Sequence, residues 1–250
     1  MLVVETATKH VHLLTNSLDR KQTSTLKKAV KQLKGSIGTK TTEIFMATHF
    51  VVGTTSNQAS ENIAKSRNRK QQEAMLHGKW IVSFQWIVDS MKAGKWIDEE
   101  PYEIHGDAKA ASIIPGGPKR ARLQCIKNKS SSIGRSIFTN VHFYVGKNTK
   151  LSPNHSEYLH LLRVGHGTVW TNAPLSESLK RLENDLEEGG GVDEQGIQNI
   201  LICDRIERCA QSFIEQSKLI AVTEEWASDS ISNFQLMDTN DYIVKSRRRM

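Results

Sequence analysis

The 250-residue sequence has only three cysteines, Cys125, Cys203 and Cys209. They are too few and too scattered for a disulfide framework, and no CxxC pair offers half of a zinc site. Nine histidines include no HExxH arrangement, so the sequence gives no basis for a metal centre. A nucleophile elbow, a P-loop and a dinucleotide-binding glycine motif are also missing. His166 lies between Gly165 and Gly167, but without a recognisable partner it reads as a turn residue. The expectation is a protein that is not an enzyme and carries no cofactor. No apolar run approaches the roughly 20 residues that cross a bilayer. The start, MLVVETATKHVH, lacks the charged, apolar and small-residue segments of a secretion signal, so an intracellular protein without a membrane partner is expected.

What is present is an ordinary globular balance, with 38% hydrophobic and 24% charged residues, enough for one large or two smaller cores. The net charge of +7 suits an acidic partner such as nucleic acid, a nucleosome or a phosphoprotein. Part of the excess sits in Lys119-Arg120-Ala121-Arg122 and Lys245-Ser246-Arg247-Arg248-Arg249, each read as a solvated linker or tail, or as a contact for acidic partners.

The sequence repeats itself at a spacing of 140 residues without gaps. Trp80-Ile81-Val82-Ser83-Phe84-Gln85-Trp86-Ile87-Val88-Asp89-Ser90 aligns with Ile220-Ala221-Val222-Thr223-Glu224-Glu225-Trp226-Ala227-Ser228-Asp229-Ser230. Asp98 then matches Asp238, and Tyr102 matches Tyr242. Two homologous domains explain this better than chance. Each copy places a buried strand before a helix, with Ser83 or Thr223 as a hydroxyl N-cap and Trp86 or Trp226 anchoring the first turn in the core.

Around these segments the patterns predict strands at Val11–Leu14, Ser36–Thr39 and Thr48–Val52, and helices over Thr23–Leu33 and Gln58–His77. In the second copy they predict strands at Val141–Val145, Thr168–Trp170 and Asn199–Ile202, and helices at Ser156–Val164 and Ala210–Gln216. The order β-α-β-β-α-β-α implies a small parallel four-stranded sheet flanked by helices. The expected fold is therefore α/β: two three-layer domains in tandem, residues 8–106 and 136–246, joined by a linker at 107–135. Pro115-Gly116-Gly117-Pro118 argues against regular structure in the linker's middle. An insertion near 171–198 contains Leu179, Leu182 and Leu186 at helical spacing, followed by Gly189-Gly190-Gly191.

KWIVSFQWIVDSMKAGKWIDEEPYEI, together with Thr48-His49-Phe50-Val51-Val52, resembles the BRCT domain. Gly117-Pro118-Lys119-Arg120-Ala121-Arg122 resembles the linker of the tandem BRCT repeats found in the breast cancer type 1 susceptibility protein and its RING-domain partner. The resemblance extends from about residue 10 to residue 245 and implies two BRCT-like domains. It also implies a phosphoserine site at the end of the first strand. Matching the motif puts the hydroxyl at Thr15, the backbone amide at Asn16 and the phosphate-binding lysine at Lys70. Asn16 stands where the family usually has glycine, and asparagine tolerates a left-handed backbone. Arg67 falls where the family holds the peptide backbone. Gln72 and Gln216 fall where relatives line an apolar pocket for the third residue after phosphoserine, so selection of phenylalanine there is not expected.

The chemistry is sound without the family: a hydroxyl, a free amide and an ammonium suit a phosphate dianion. On a continuous helix, Arg67 and Lys70 would share a face. Thr15 as a plain turn residue and Arg67-Asn68-Arg69-Lys70 as a solvated basic face remain the alternatives. The function implied by the resemblance is recruitment of phosphorylated partners in a nuclear DNA-damage response. The competing readings are a nucleosome- or histone-docking module of a RING-type ubiquitin ligase complex, with the full-length protein in a RING heterodimer, and a structural repeat without a phosphate site.

Overall fold

The computed structural model describes residues 10–38, 41–54, 62–131, 134–145, 155–170, 198–203 and 219–244. Its contacts divide the chain into two units, Met1–Ser130 and Ser131–Met250.

The first unit holds strands β1 (His12–Asn16), β2 (Ser36–Ile37), β3 (His49–Val52) and β5 (Trp80–Ser83) in one parallel sheet, ordered β2-β1-β3-β5. Its main helices are α1 (Arg20–Leu33), α2 (Arg69–Leu76) and α3 (Phe84–Ala93). In the second unit β7 (Val141–Val145), β8 (Thr168–Trp170), β9 (Gln198–Ile202) and β10 (Ile220–Val222) form a sheet ordered β10-β9-β7-β8, with α6 (His155–Val164) and α7 (Glu224–Asn233). Both sheets follow the same sequence of neighbours: second strand, first, third, fourth. The described parts bear out the expected α/β architecture of two parallel four-stranded sheets flanked by helices. The expected helix over Ala210–Gln216 and the leucines of the insertion lie outside the described residues.

The spacing of 140 residues carries through to individual hydrogen bonds. Trp86 Nε1 donates to the Ile97 carbonyl at 3.1 Å, and Trp226 Nε1 to that of Met237 at 2.9 Å. Tyr102 Oη donates to Asp89 Oδ2 at 3.2 Å, and Tyr242 Oη to Asp229 Oδ2 at 2.7 Å. The two tryptophans are fully buried. Burial of an indole of about 150–250 Å² is worth roughly 4–6 kcal/mol, which explains why they anchor α3 and α7. Around Trp86 pack Val11, Leu13, Leu26, Ala29, Val51 and Val82. Ser83 and Thr223 occupy the N-cap positions as expected, yet neither side chain makes the cap hydrogen bond.

Three boundaries differ from expectation. Helix α1 starts at Arg20 rather than Thr23, because Asp19 and Gln22 form a reciprocal capping box at 2.8 and 3.0 Å. Helix α2 begins only at Arg69. Ile63–Ala64 form the short strand β4, Asn68 is extended, and the Asn68 side chain caps the helix by accepting from Gln71 N at 2.9 Å. Arg67 therefore precedes the helix and does not share a helical face with Lys70.

The segment after the first sheet is the third difference. β6 (Gly106–Asp107) pairs with β4, and the helices α4 (Ala108–Ile113) and α5 (Gly117–Lys129) follow. Gly116, with φ 88°, makes the left-handed turn, and Pro118 sits in the first turn of α5, where its missing N–H costs no helical bond. The cluster Lys119-Arg120-Ala121-Arg122 is likewise not a solvated run. Arg122 is buried against Glu103, Arg120 donates to the Ile114 and Pro115 carbonyls, and Lys119 pairs with Glu100 at 2.7 Å.

Candidate phosphate-binding site

Strands β1 and β3 end side by side, with Thr15 opposite Val51 and Asn16 opposite Val52. In open parallel sheets, ligands bind beyond the carboxyl ends of the strands. The chain turns there through Ser17, whose φ of 59° is left-handed, before Asp19 starts α1. The left-handed residue is thus Ser17. Asn16, expected to take that geometry, is extended and belongs to the strand. Gly53, just past β3, lies so close that a Cβ on it would be 2.7 Å from the Ser17 carbonyl oxygen. This close approach fixes the turn against the sheet.

Polar groups converge on it. Asn16 Nδ2 donates to Ser17 Oγ at 2.7 Å, and Ser17 Oγ lies 3.1 Å from Ser66 Oγ. Ser66 is held by its neighbour, since Lys65 N donates to the Gly53 carbonyl at 2.9 Å. The segment leading into α2 is therefore tied to the turn after β1. Asn68 Nδ2 is buried without a hydrogen-bond partner, while Asn68 Oδ1 caps α2. Lys70 is exposed in the first turn of α2, four residues beyond Ser66. Two hydroxyls, an amide side chain and an ammonium at a helix start suit an oxyanion better than a cation.

Of the residues expected to bind, Thr15, Asn16 and Lys70 thus belong to the two segments that Ser17 and Ser66 join. Thr15 sits one step inside the strand, half-buried. Arg67 is committed to Asp107: its Nε donates to Oδ2 at 2.9 Å and its Nη2 to Oδ1 at 3.2 Å. Asp107 also caps α4 through Lys109 N and Ala110 N. Gln72 is buried within α2. Gln216 lies outside the described residues. Ser17, Ser66 and Asn68 went unassigned in the sequence. The signal for Ser17 was the capping box Asp19-x-x-Gln22, which fixes where the turn must fall.

Among the described residues, no group of three or more His, Cys, Asp or Glu side chains is placed to hold a metal ion. No helix of the described structure is long and apolar enough to cross a membrane.

Residues 7–91, within the first unit, match the family described as the BRCA1 C Terminus (BRCT) domain. The fifth and sixth BRCT domains of Brc1 from S. pombe share the fold with a TM-score of 0.61 at 20% identity, covering 95% of this chain and 98% of that one. The chain is a tandem of two BRCT-like domains.

Within that class it resembles the BRCA1 and BRCA1-associated RING domain type. It is 38% identical over 86 residues to the Protein BREAST CANCER SUSCEPTIBILITY 1 homolog of Arabidopsis thaliana, covering 34% of this chain and 8% of that protein. It is 27% identical over 203 residues to the BRCA1-associated RING domain protein 1 of Arabidopsis thaliana, covering 76% of this chain and 26% of that protein. The chain thus spans about a quarter or less of the length of these curated relatives.

Proposed function

We propose that this tandem BRCT module binds phosphoserine peptides and recruits phosphorylated partners in a nuclear DNA-damage response. The observation that carries the reading is the junction of Ser17 and Ser66 at the carboxyl ends of β1 and β3, with Lys70 four residues beyond Ser66 in the first turn of α2. A phosphate there receives the hydroxyls of Ser17 and Ser66, a backbone amide at Asn16–Ser17 and the Lys70 ammonium, with Thr15 bracing the strand end. Each charge-assisted bond of this kind contributes about 1.5–3 kcal/mol. Arg67, oriented by Asp107, flanks the path of the peptide after phosphoserine. The module acts by binding and is not an enzyme. Resemblance to the RING-associated relatives supports the view that the full-length protein works in a RING heterodimer of a ubiquitin ligase complex.

The test is fluorescence polarisation with a degenerate phosphoserine peptide library and its unphosphorylated counterpart. Phosphate-dependent binding is expected, and Lys70→Met weakens it about 10- to 100-fold, the loss of one charge-assisted contact. Ser17→Gly keeps the left-handed turn and removes only the hydroxyl, so it separates side-chain from main-chain contact. Binding indifferent to phosphate and to Lys70 refutes the reading.

A further inference from the structure

Helix α1 carries a charge distribution that its own folding does not need. Arg20, Lys21, Lys27, Lys28, Lys31 and the capping residue Lys34 are all exposed, and α1 contains no carboxylate. No ion pair engages any of the six among the described residues. The one adjacent acid, Asp19, is spent on capping, with Oδ1 accepting from Gln22 N. Two features run against helix stability. Arg20 and Lys21 stand at the positive end of the helix dipole, where acidic residues are favoured. Lys27 and Lys31 are like charges four apart, and Lys28 and Lys34 each lie three from Lys31, spacings at which cations repel.

The placement is ordered. At about 100° per residue, Arg20, Lys27, Lys31 and Lys34 fall within a stripe about 60° wide, with Lys21 and Lys28 along one margin. The opposite face, with Leu26 and Ala29, is buried in the core. From Arg20 to Lys34 the stripe is about 21 Å long. The hydroxyl residues Ser24 and Thr23 border it, one on either side, both exposed. Exposed Lys95, just after α3, extends the cationic surface at the far end. There Gln32 Nε2 donates to the Met91 carbonyl at 3.2 Å, joining the ends of the two helices.

We propose that this stripe is a docking surface for the phosphodiester backbone of duplex DNA. A DNA strand presents one phosphate per about 3.4 Å of axis, so the stripe faces about six of them. Cations on flexible stems, bordered by hydroxyls, contact such a backbone without reading its sequence. The surface begins where the phosphate turn ends, at Asp19, so a DNA-bound module keeps its peptide site alongside. The proposal does not depend on the phosphopeptide reading.

The experiment is anisotropy of a fluorescein-labelled short duplex titrated with the 250-residue protein over a series of salt concentrations. The variants are Lys27→Gln/Lys31→Gln/Lys34→Gln and a charge-matched control, Lys109→Gln/Lys127→Gln/Lys129→Gln. All six side chains are exposed, and an unchanged melting transition identifies each variant as folded. The α1 variant is expected to bind at least about tenfold more weakly at low salt, and its slope of log K against log salt falls by about 2.7, that is, 0.9 for each of three lost contacts. The control keeps most of its affinity, and phosphopeptide binding is unchanged in both. Absence of DNA binding by the parent protein, or equal loss in the two variants, overturns the proposal. So does capture of polyglutamate in preference to the duplex, which assigns the stripe to an acidic protein.

Discussion

Replacing Arg122 with methionine is expected to destabilise the first unit severely while leaving its surface unaltered. Arg122, on α5, donates Nε to Glu103 Oε1 and Nη2 to Oε2, both at 2.8 Å. The side chains are 10% and 4% exposed, and the guanidinium lies 3.5 Å from the Trp80 ring centroid. The hydrogen bond to Glu103 is the main reason the guanidinium holds its proton above its ordinary range. Methionine fills much of the same volume but strands the Glu103 carboxylate in the interior. Removal of one partner of a buried pair costs about 3–5 kcal/mol, a large share of a typical 5–15 kcal/mol stability. For a unit of 130 residues this corresponds to a fall in melting temperature of about 12–20 °C. Calorimetry of single and paired variants measures it. Arg122→Met/Glu103→Leu is expected to recover most of the loss, because an apolar pair of similar volume stands in well for a buried ion pair. By contrast Lys119→Ala, which breaks the exposed pair with Glu100, is expected to leave the melting transition nearly unchanged. A loss below about 1 kcal/mol for Arg122→Met, or a double variant no better than the single, refutes the reasoning.

Other expectations rest on single positions. Gly94 has φ 67° and nothing within 4 Å of an added Cβ, so Gly94→Ala isolates the backbone cost, about 1–2 kcal/mol in urea titrations. At Gly78, φ 64°, an added Cβ overlaps the Cys125 Cβ and lies 2.8 Å from its Sγ, so Gly78→Ala is expected to cost about 2–5 kcal/mol. Hydrogen bonds from Gln85 and Lys92 hold the Asp89 carboxyl below its ordinary 3.8, against the upward push of burial. A depressed folded value means stabilisation present above the unfolded value and lost as pH falls through the folded one. Asp89→Asn is therefore expected to lower the urea midpoint at neutral pH and to flatten its decline below about pH 4.

The repeat was the most legible feature of the sequence, and it led to correct strands, to both tryptophan anchors and to a shared sheet order. Its strength was that burial leaves a periodic trace: Val82 and Trp86 recur as Val222 and Trp226 because both sheets need the same plugs. Boundaries set by single polar side chains were less legible. The Asp19 capping box moved the start of α1 forward and the turn to Ser17. Asn68 delayed α2, so Arg67 fell outside it and found Asp107, a partner forty residues away that no local pattern announces. Pro115 to Pro118 looked like a broken linker because prolines interrupt helices, yet one of them opens a helix. The basic cluster beyond it looked solvated, since the acids that pair with Lys119 and Arg122, Glu100 and Glu103, lie 19 residues earlier in the same unit.

The two equivalent indoles stand in unequal optical surroundings. Trp86 is stacked between the His49 imidazole at 4.7 Å and the Trp96 indole at 5.0 Å. Trp226 has the phenyl rings of Phe138 and Phe143 beside it, at 6.0 and 6.2 Å. Coupled indoles split their near-ultraviolet transitions, and an adjacent imidazole quenches emission. The first domain therefore carries an intrinsic dichroic label in its coupled indole pair. In a single unmodified sample, loss of that coupling reports the melting of the first domain.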